Sequence, residues 1–80
     1  MPHVVVKLYS GKSNHQKAAL AEAVTKAVMD TLGYGEDSVS VGVEDVEPKD
    51  WASQVYGPDI VDKPETIFKK PGYDLAERRK

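Results

Sequence analysis

The chain has 80 residues, a formal net charge of -2 and no cysteine. A chain of this length has room for one compact core, so we predict a single domain over residues 1–80. The slight negative charge excludes nucleic acid as the expected partner, and the lack of cysteine excludes a disulfide framework and a thiolate metal site. No apolar stretch approaches the roughly 20 residues of a membrane span, and the first residues lack the order of a signal peptide. We therefore expect a cytoplasmic protein without a membrane partner.

The first predicted element is a β-strand from His3 to Tyr9, whose valine run at residues 4–6 is typical of a strand covered on both faces. A helix of about five turns follows. Ser13 and Gln16 have the spacing of a capping box at its start, and Gly33 is placed to end it. The apolar face is predicted to contain Leu20, Val24, Ala27, Val28 and Leu32. The polar face is predicted to contain Lys17, Glu22, Lys26 and Asp30.

A second strand is predicted at residues 38–46, because SVSVGVEDV alternates between two faces. Strand, helix and strand form a βαβ unit, which requires parallel strands. Four prolines follow, so the remaining helices are expected to be short, at residues 49–56 and 58–69. Two parallel strands with one helix leave one sheet face and both edges uncovered, and we therefore predict a homo-oligomer.

Pro2 directly precedes the first strand, and two interpretations of it stay open. Proline is tolerated as the first residue of a strand, where its missing N–H costs little. Removal of Met1 would instead give Pro2 a free secondary amine. Apolar surroundings and a nearby cation would keep that amine neutral at pH 7, so that it acts as a general base. If Met1 is retained, the nitrogen is an amide without useful basicity.

Three further residues have a candidate role beside a plain structural one. Lys12 is either a solvated loop lysine or a cation that holds a carboxylate at the C-terminal end of a strand. Trp51 is either a core or interface aromatic or the wall of an apolar pocket. Ser40 is either a surface serine or a hydrogen-bond donor on the polar face of the second strand. His3 and His15 lack metal-ligand spacing, so we predict no metal site.

The N-terminal MPHVVVKLYSGKSNHQKAAL, the βαβ layout, the alternating SVSVGVEDV and the following EPKDW together resemble the 4-oxalocrotonate tautomerase family, over residues 2–51. The later IFKKPGY is similar to a longer, dimeric bacterial subgroup that acts on enols of aryl pyruvates. The resemblance implies an α/β fold in which two βαβ units pair into a four-stranded sheet with the helices on one face. It implies a dimer, or a hexamer built as a trimer of dimers, with the dimer favoured by the longer C-terminal segment.

The resemblance also implies a function: a cofactor-independent keto–enol tautomerase, an isomerase of small α-keto or enol monocarboxylates such as phenylenolpyruvate. Pro2 matches the amino-terminal proline that moves a proton between enol oxygen and carbon. Lys12 falls where the founding enzymes have a carboxylate-binding arginine. Ser40 falls where they have a second arginine that reaches in from another subunit, so one cation is missing and a dicarboxylate substrate is disfavoured. Trp51 falls at the aromatic position of the pocket wall.

Two other functions stay open. Pro2 kept protonated would act as an acid in the hydration or dehalogenation of an unsaturated acid, which also needs a water-activating carboxylate, such as Glu44 or Asp45, beside the proline. In a non-catalytic protein, a self-associating or ligand-binding module, Pro2 would only begin a strand.

Overall fold

The computed structural model describes residues 1–75, so residues 76–80 of the predicted domain lie outside the described residues. The chain divides into a first unit, Met1–Asp45, and a second unit, Val46–Lys80. A single domain over residues 1–80 stays a prediction.

The first unit is built around two strands, β1 (His3–Tyr9) and β2 (Ser40–Val46), which pair in parallel. Helix α1 (Asn14–Leu32) connects them. The predicted βαβ unit and the α/β fold class are therefore confirmed. Val46, the last residue of β2, is also the first residue of the second unit.

Helix α1 begins and ends where the sequence predicts. Ser13 Oγ accepts the backbone N–H of Gln16 at 3.1 Å, and Gln16 Oε1 accepts the backbone N–H of Ser13 at 3.0 Å, which is a complete capping box. At the other end Gly33 has φ 79°, a left-handed conformation that glycine adopts without steric cost. Its N–H bonds to the Met29 carbonyl at 2.9 Å and satisfies one of the last carbonyls of the helix.

The half-buried face of α1 is narrower than predicted. Ala27 and Leu32 were predicted on the apolar face and are exposed, Leu32 by 61%. The half-buried residues of the helix are Lys17, Leu20, Ala21, Val24, Thr25, Val28 and Met29. Like the other helices within residues 1–75, α1 lacks the combination of length and apolar content needed to cross a membrane.

Lys17 was predicted on the polar face of α1, and this assignment is wrong. Its side chain is only 20% exposed, and its ammonium lies 2.7 Å from the carboxylate of Asp45 near the end of β2. The helical pattern alone cannot show this pairing, because Asp45 is distant in the sequence and belongs to another element.

Strand β2 begins two residues later than predicted. Residues Glu36–Ser38 form a 3₁₀ turn. The N–H and the hydroxyl of Ser38 both donate to the Gly35 carbonyl, at 3.1 and 3.0 Å. A serine that bonds to a nearby carbonyl offers the backbone an alternative to the sheet ladder, so the strand starts at Ser40.

The second unit contains the 3₁₀ turn Pro48–Asp50, a π-helix at Ala52–Val61 and the 3₁₀ turn Pro64–Thr66. The predicted break before Pro58 is wrong, because Pro58 lies inside the π-helix. In an α-helix a proline ring clashes with the carbonyl four residues back and cannot bond to it. In a π-helix each backbone hydrogen bond reaches the carbonyl five residues back, as from the Asp62 N–H to the Gly57 carbonyl at 3.0 Å. This wider helix tolerates the hydrogen bond that Pro58 cannot donate.

The predicted extension of a helix to residue 69 is also wrong. Lys63 has φ -129° and ψ 53°, outside the helical region. It precedes Pro64, and a proline ring displaces the residue before it from the α conformation. Beyond the turn Pro64–Thr66, residues 67–75 form neither helix nor strand.

Burial differs between the two units. The buried apolar side chains among the described residues are Val46, Val55 and Tyr56, all in the second unit. None of residues 1–45 is fully buried. In β1, Val5 is 43% exposed and Tyr9 51% exposed, so in a single chain this strand lacks the cover on both faces that its valine run predicts.

Candidate active site

Pro2 lies half-buried at the N-terminal end of β1. Its carbonyl accepts the backbone N–H of Ser40 at 3.2 Å, so β2 begins beside Pro2. Parallel strands begin at the same end of a sheet, which explains why Pro2 and Ser40 lie side by side although they are far apart in the sequence. Two of the four predicted site residues therefore come together within one chain.

His3 joins this pair, although the sequence assigned it no role. Its Nδ1 atom lies 2.6 Å from the hydroxyl of Ser40, and the histidine tautomer decides which group donates the hydrogen bond. Both side chains are exposed. One signal in the sequence could have indicated His3, namely its position directly after Pro2. Its pairing with Ser40 could not be predicted, because the second strand was predicted to begin at residue 38. Pro2, His3 and Ser40 form what we call the proline end of the sheet.

Lys12 follows β1 in the loop that leads to α1. Gly11 in this loop has φ 125°, in the region that favours glycine, and so allows the turn. Lys12 lines a cavity of about 250 Å³ at the first turn of α1. The residues that line this cavity, which we call the lysine cavity, are Leu8, Lys12, Gln16, Lys17 and Leu20.

Pro2 and Lys12 lie at opposite ends of β1. The strand spans His3–Tyr9, and at about 3.3 Å per residue its two ends are about 20 Å apart. A keto acid of small size cannot contact both ends at once. One chain therefore does not bring the candidate base and the candidate carboxylate-binding cation together.

Trp51 belongs to the second unit, where it directly precedes the π-helix. Its indole N–H donates to the hydroxyl of Tyr73 at 2.9 Å. The Tyr73 ring lies 5.6 Å from the ring of Tyr56, and the Tyr56 hydroxyl donates to the Asp74 carboxylate at 3.0 Å. These contacts tie residues 73 and 74 to the π-helix and to the residue before it.

A mainly apolar cavity of about 260 Å³ lies beside these aromatic residues. It is lined by Tyr56, Ile60, Val61, Pro64, Ile67, Lys70, Pro71, Tyr73 and Asp74. Trp51 is not one of the residues that line it, so the predicted role of Trp51 as a pocket wall stays a prediction.

Burial raises the pKa of the Tyr56 phenol above its usual value of 10.0, and the hydrogen bond to the Asp74 carboxylate acts in the same direction. A backbone hydrogen bond at Leu75 acts in the opposite direction. The phenol therefore stays protonated at neutral pH, where it serves as a hydrogen-bond donor to Asp74.

The larger cavity of the first unit, about 710 Å³, contains none of the predicted site residues. It is an open groove lined by Ala19, Glu22, Ala23, Thr25, Lys26, Met29, Glu36 and Val39. Two of its polar side chains are already engaged: the Thr25 hydroxyl donates to the Ala21 carbonyl, and Lys26 pairs with Asp30. The other two, Glu22 and Glu36, are acidic side chains that would repel a bound acid. We therefore do not assign the site there. Within residues 1–75, no three His, Asp or Glu side chains form a cluster that could hold a metal ion.

The first unit thus has the features of one class of protein: a small βαβ unit with a proline ahead of its first strand and with candidate site residues at the two ends of that strand. The sequence profile described as "Tautomerase enzyme" matches residues 2–58, a range that includes Pro2, Lys12, Ser40 and Trp51. The chain belongs to the tautomerase family.

Two curated relatives show how far the similarity extends. The chain is 48% identical over 73 residues to a probable tautomerase from Xylella fastidiosa, covering 91% of this chain and 89% of the relative. It is 37% identical over 76 residues to the tautomerase PptA of Cronobacter sakazakii, covering 94% of this chain and all of the relative.

Solved structures agree with the fold. TomN, a 4-oxalocrotonate tautomerase homologue of tomaymycin biosynthesis, superposes with a TM-score of 0.58 at 32% identity, covering 98% of this chain and 94% of that chain. A 4-oxalocrotonate tautomerase isozyme structure from Methylibium petroleiphilum superposes with a TM-score of 0.60 at 34% identity, covering 62% of this chain and 81% of that chain.

The predicted resemblance to the 4-oxalocrotonate tautomerase family is therefore confirmed, and with it a tautomerase-type, isomerase function on this fold. The subgroup, the substrate and the role of each site residue stay predictions.

Proposed function

We propose that the protein is a cofactor-independent keto–enol tautomerase of small α-keto acids such as phenylenolpyruvate, with Pro2 as the base and then the acid. The observation that carries this proposal is the position of Pro2, which is half-buried at the end of the sheet where both strands begin and is hydrogen-bonded to the first residue of β2. Met1 is 93% exposed, so it is accessible to the aminopeptidase that would uncover the proline nitrogen.

Removal of Met1 turns the proline nitrogen from an amide into a secondary amine. An α-amino group titrates near pH 8, and partial burial disfavours its charged form, so a large neutral fraction is expected at pH 7. The neutral amine takes the hydroxyl proton of the enol, and the electron pair of the O–H bond stays on the oxygen of the resulting enolate. This pair then forms the carbonyl while the electron pair of the C=C bond takes the proton from the protonated amine at carbon. The net change is an isomerisation.

The second half of the site is proposed to come from another copy of the chain. Among the described residues the sheet has two strands, so β1 is an edge strand, the kind of strand that can pair with a strand of another chain. Antiparallel pairing with the β1 of a second copy would set the C-terminal end of each strand beside the N-terminal end of the other. Lys12 of one chain would then lie near Pro2 of the other, twice in a two-fold homodimer with a four-stranded sheet.

The site residues favour a monocarboxylate with an apolar end. Lys12 is proposed to hold the carboxylate as a point charge, because a lysine lacks the fork with which arginine binds both oxygens. At the proline end, Ser40 supplies a hydroxyl and no cation, and its bond to His3 restrains that hydroxyl. Ser40 is proposed to form a hydrogen bond with the enol oxygen. Trp51 is proposed to pack against the aromatic end of the substrate.

Substitution of Pro2 tests the proposal. Pro2→Ala is expected to lower kcat/KM for ketonisation of phenylenolpyruvate by about 100-fold, because a positioned general base supplies a factor of this order. The loss of enol absorbance measures the rate, and the circular dichroism spectrum checks that the fold is unchanged. Pro64→Ala, at a 3₁₀ turn of the second unit, is the matched proline control and should keep its activity.

Intact-mass analysis of the same preparations is the second measurement. An active wild-type protein is expected to lack Met1. An undiminished rate in Pro2→Ala, or full activity in a chain that retains Met1 throughout, would overturn the assignment of Pro2.

A further inference from the structure

The lysine cavity contains a second cation that the sequence did not assign to a site. Lys12 and Lys17 line the same space of about 250 Å³, and two leucines, Leu8 and Leu20, provide its apolar part. The two lysines differ in their surroundings. Lys12 is exposed, whereas the side chain of Lys17 is only 20% exposed and therefore lies in a medium of lower dielectric constant, where a charge acts more strongly.

The ammonium group of Lys17 has hydrogen-bond donors in addition to the one that Asp45 accepts. An ammonium group has three N–H donors, and the described residues engage one of them, in the 2.7 Å bond to the Asp45 carboxylate. This bond anchors the end of a long, flexible side chain and so lowers the entropy that a ligand must remove. Asp45 thus holds Lys17 in place while leaving it able to donate to a bound anion.

Gln16 adds an uncharged donor to the same cavity. Its Oε1 atom accepts the Ser13 backbone N–H at 3.0 Å in the capping box. This bond fixes the orientation of the carboxamide, because the oxygen must face the N–H and the Nε2 group then faces away from it. The Nε2 group therefore brings two N–H donors to a residue that lines the cavity.

The charges of the cavity fit one carboxylate. Lys12 and Lys17 line the cavity and contribute two formal positive charges, and Asp45, which is bonded to Lys17, contributes one formal negative charge. The formal net charge of this group is therefore +1. A monocarboxylate brings it to zero, whereas a dicarboxylate would leave an uncompensated negative charge beside an apolar surface, which is unfavourable.

We propose that Lys17, held by Asp45, is a second carboxylate-binding residue of the protein and forms a two-lysine subsite with Lys12 in the lysine cavity. The proposal rests on the proposed function and adds a residue to it. Two point charges on separate side chains restore the two-point contact that a single lysine cannot make, since each can bond to one carboxylate oxygen.

Binding of an unreactive acid tests Lys17 without catalysis. In Lys17→Met the Kd of 3-phenylpropionate, measured by calorimetry, is expected to rise about fivefold to tenfold, as for loss of one charge-assisted hydrogen bond. The Kd of 3-phenylpropionamide, which has no carboxylate, should change little. Lys17→Arg should restore most of the affinity for the acid. The Asp45 side chain is 42% exposed, so water can solvate it when Lys17 is replaced, and the fold is expected to persist. Lys17→Gln provides a second neutral variant.

Lys26→Met is the matched control. Lys26 also lies on α1 and also pairs with an aspartate, Asp30, at 3.0 Å, but its side chain is 77% exposed and it does not line the lysine cavity. Its removal should leave the Kd of the acid unchanged. An equal loss of affinity in Lys17→Met and Lys26→Met would mean that only the overall charge matters, and an unchanged Kd in both neutral variants of Lys17 would likewise overturn the subsite.

Kinetics separate the subsite from the proposed function. With phenylenolpyruvate, Lys17→Met should raise KM by the same factor while kcat stays within about twofold, since Lys17 acts on binding. If wild type and Pro2→Ala turn over the substrate equally but the Kd of 3-phenylpropionate still depends on Lys17, the function is wrong and the subsite stands. If Pro2→Ala is inactive and Lys17→Met has the same KM as wild type, the function stands and the subsite is wrong.

Asp45 is a positioning residue in this proposal, and ligand preference is the readout that tests it. Asp45→Asn raises the net charge of the cavity from +1 to +2. We expect the affinity for phenylsuccinate, a dicarboxylate, to increase relative to that for 3-phenylpropionate. If Asp45 has a purely structural role, Asp45→Asn should lower the affinity for both ligands by the same factor. This outcome would contradict the positioning role of Asp45.

Discussion

In the proposed site, single residues at the two ends of β1 are expected to decide which acids bind. The family resemblance implies that Lys12 and Ser40 fall where the founding enzymes have arginines, so the proposed site would keep one cation and lose the other. A hydroxyl that is bonded to His3 at 2.6 Å offers directional hydrogen bonding at the proline end without a charge. We therefore expect a serine in place of the second arginine to favour a substrate with one carboxylate and an uncharged end.

Tyr56 provides a test at the same scale, in the second unit. Burial raises the pKa of its phenol, and the bond to Asp74 acts in the same direction. In the unfolded chain the phenol loses its proton near pH 10, whereas the folded chain keeps it to higher pH. The unfolded state then binds fewer protons, so stability is expected to fall as the pH rises from 10 toward the folded pKa.

Urea unfolding at a series of pH values between 8 and 11 measures this effect, with phenolate absorbance as a direct reading of ionisation. Tyr56→Phe removes the titrating group and should show a smaller decline over the same range. Equal declines in the two proteins would show that Tyr56 is not the group responsible.

At the scale of elements, α1 depends on its capping box. Ser13→Ala removes the acceptor for the Gln16 N–H and is expected to lower the free energy of unfolding by about 1 kcal/mol, as is usual for loss of an N-cap side chain. Ser13→Asp keeps an acceptor at this position and should retain most of the stability. Chemical denaturation of the three proteins measures the differences, and equal stability of wild type and Ser13→Ala would contradict the capping role.

The elements also explain which predictions from sequence succeeded. The ends of α1 were predicted correctly because a capping box and a C-terminal glycine act within one turn, and the sequence displays both partners. The start of β2 was not predicted correctly, because the Ser38 hydroxyl competes with the hydrogen bonds of the sheet. The π-helix was not predicted, because a proline such as Pro58 normally breaks an α-helix.

Site residues that depend on pairing between elements were harder to predict. Lys17 looked like a solvent-facing residue because Asp45 is on another element, and His3 gained its partner only through the register of the parallel strands. Pro2, in contrast, could be singled out from its place in the sequence and from the family resemblance.

At the scale of the whole molecule, the proposed function requires two chains, and mixing inactive variants tests this. Pro2→Ala and Lys12→Met are each expected to have low activity. In a mixed dimer one of the two sites would combine an intact Pro2 with an intact Lys12. After unfolding and refolding together, the mixture should recover about one quarter of wild-type activity, the statistical share of intact sites in a two-fold dimer.

Each variant refolded alone is the control and should stay at its own low activity. Failure of the mixture to exceed the mean of the two separate variants, with both shown to be dimeric by light scattering, would mean that Pro2 and Lys12 do not form one site from two different chains.

The absence of a fully buried side chain in residues 1–45 affects how sequence variation in this part of the chain should be interpreted. Positions such as Val5 and Tyr9 would be ranked as tolerant to substitution from their exposure in a lone chain. If copies cover these positions on association, natural selection acts on them as on an interior. Evolutionary constraint here would then follow the quaternary structure, and a polar replacement at Val5 would be selected against as strongly as one in a hydrophobic core.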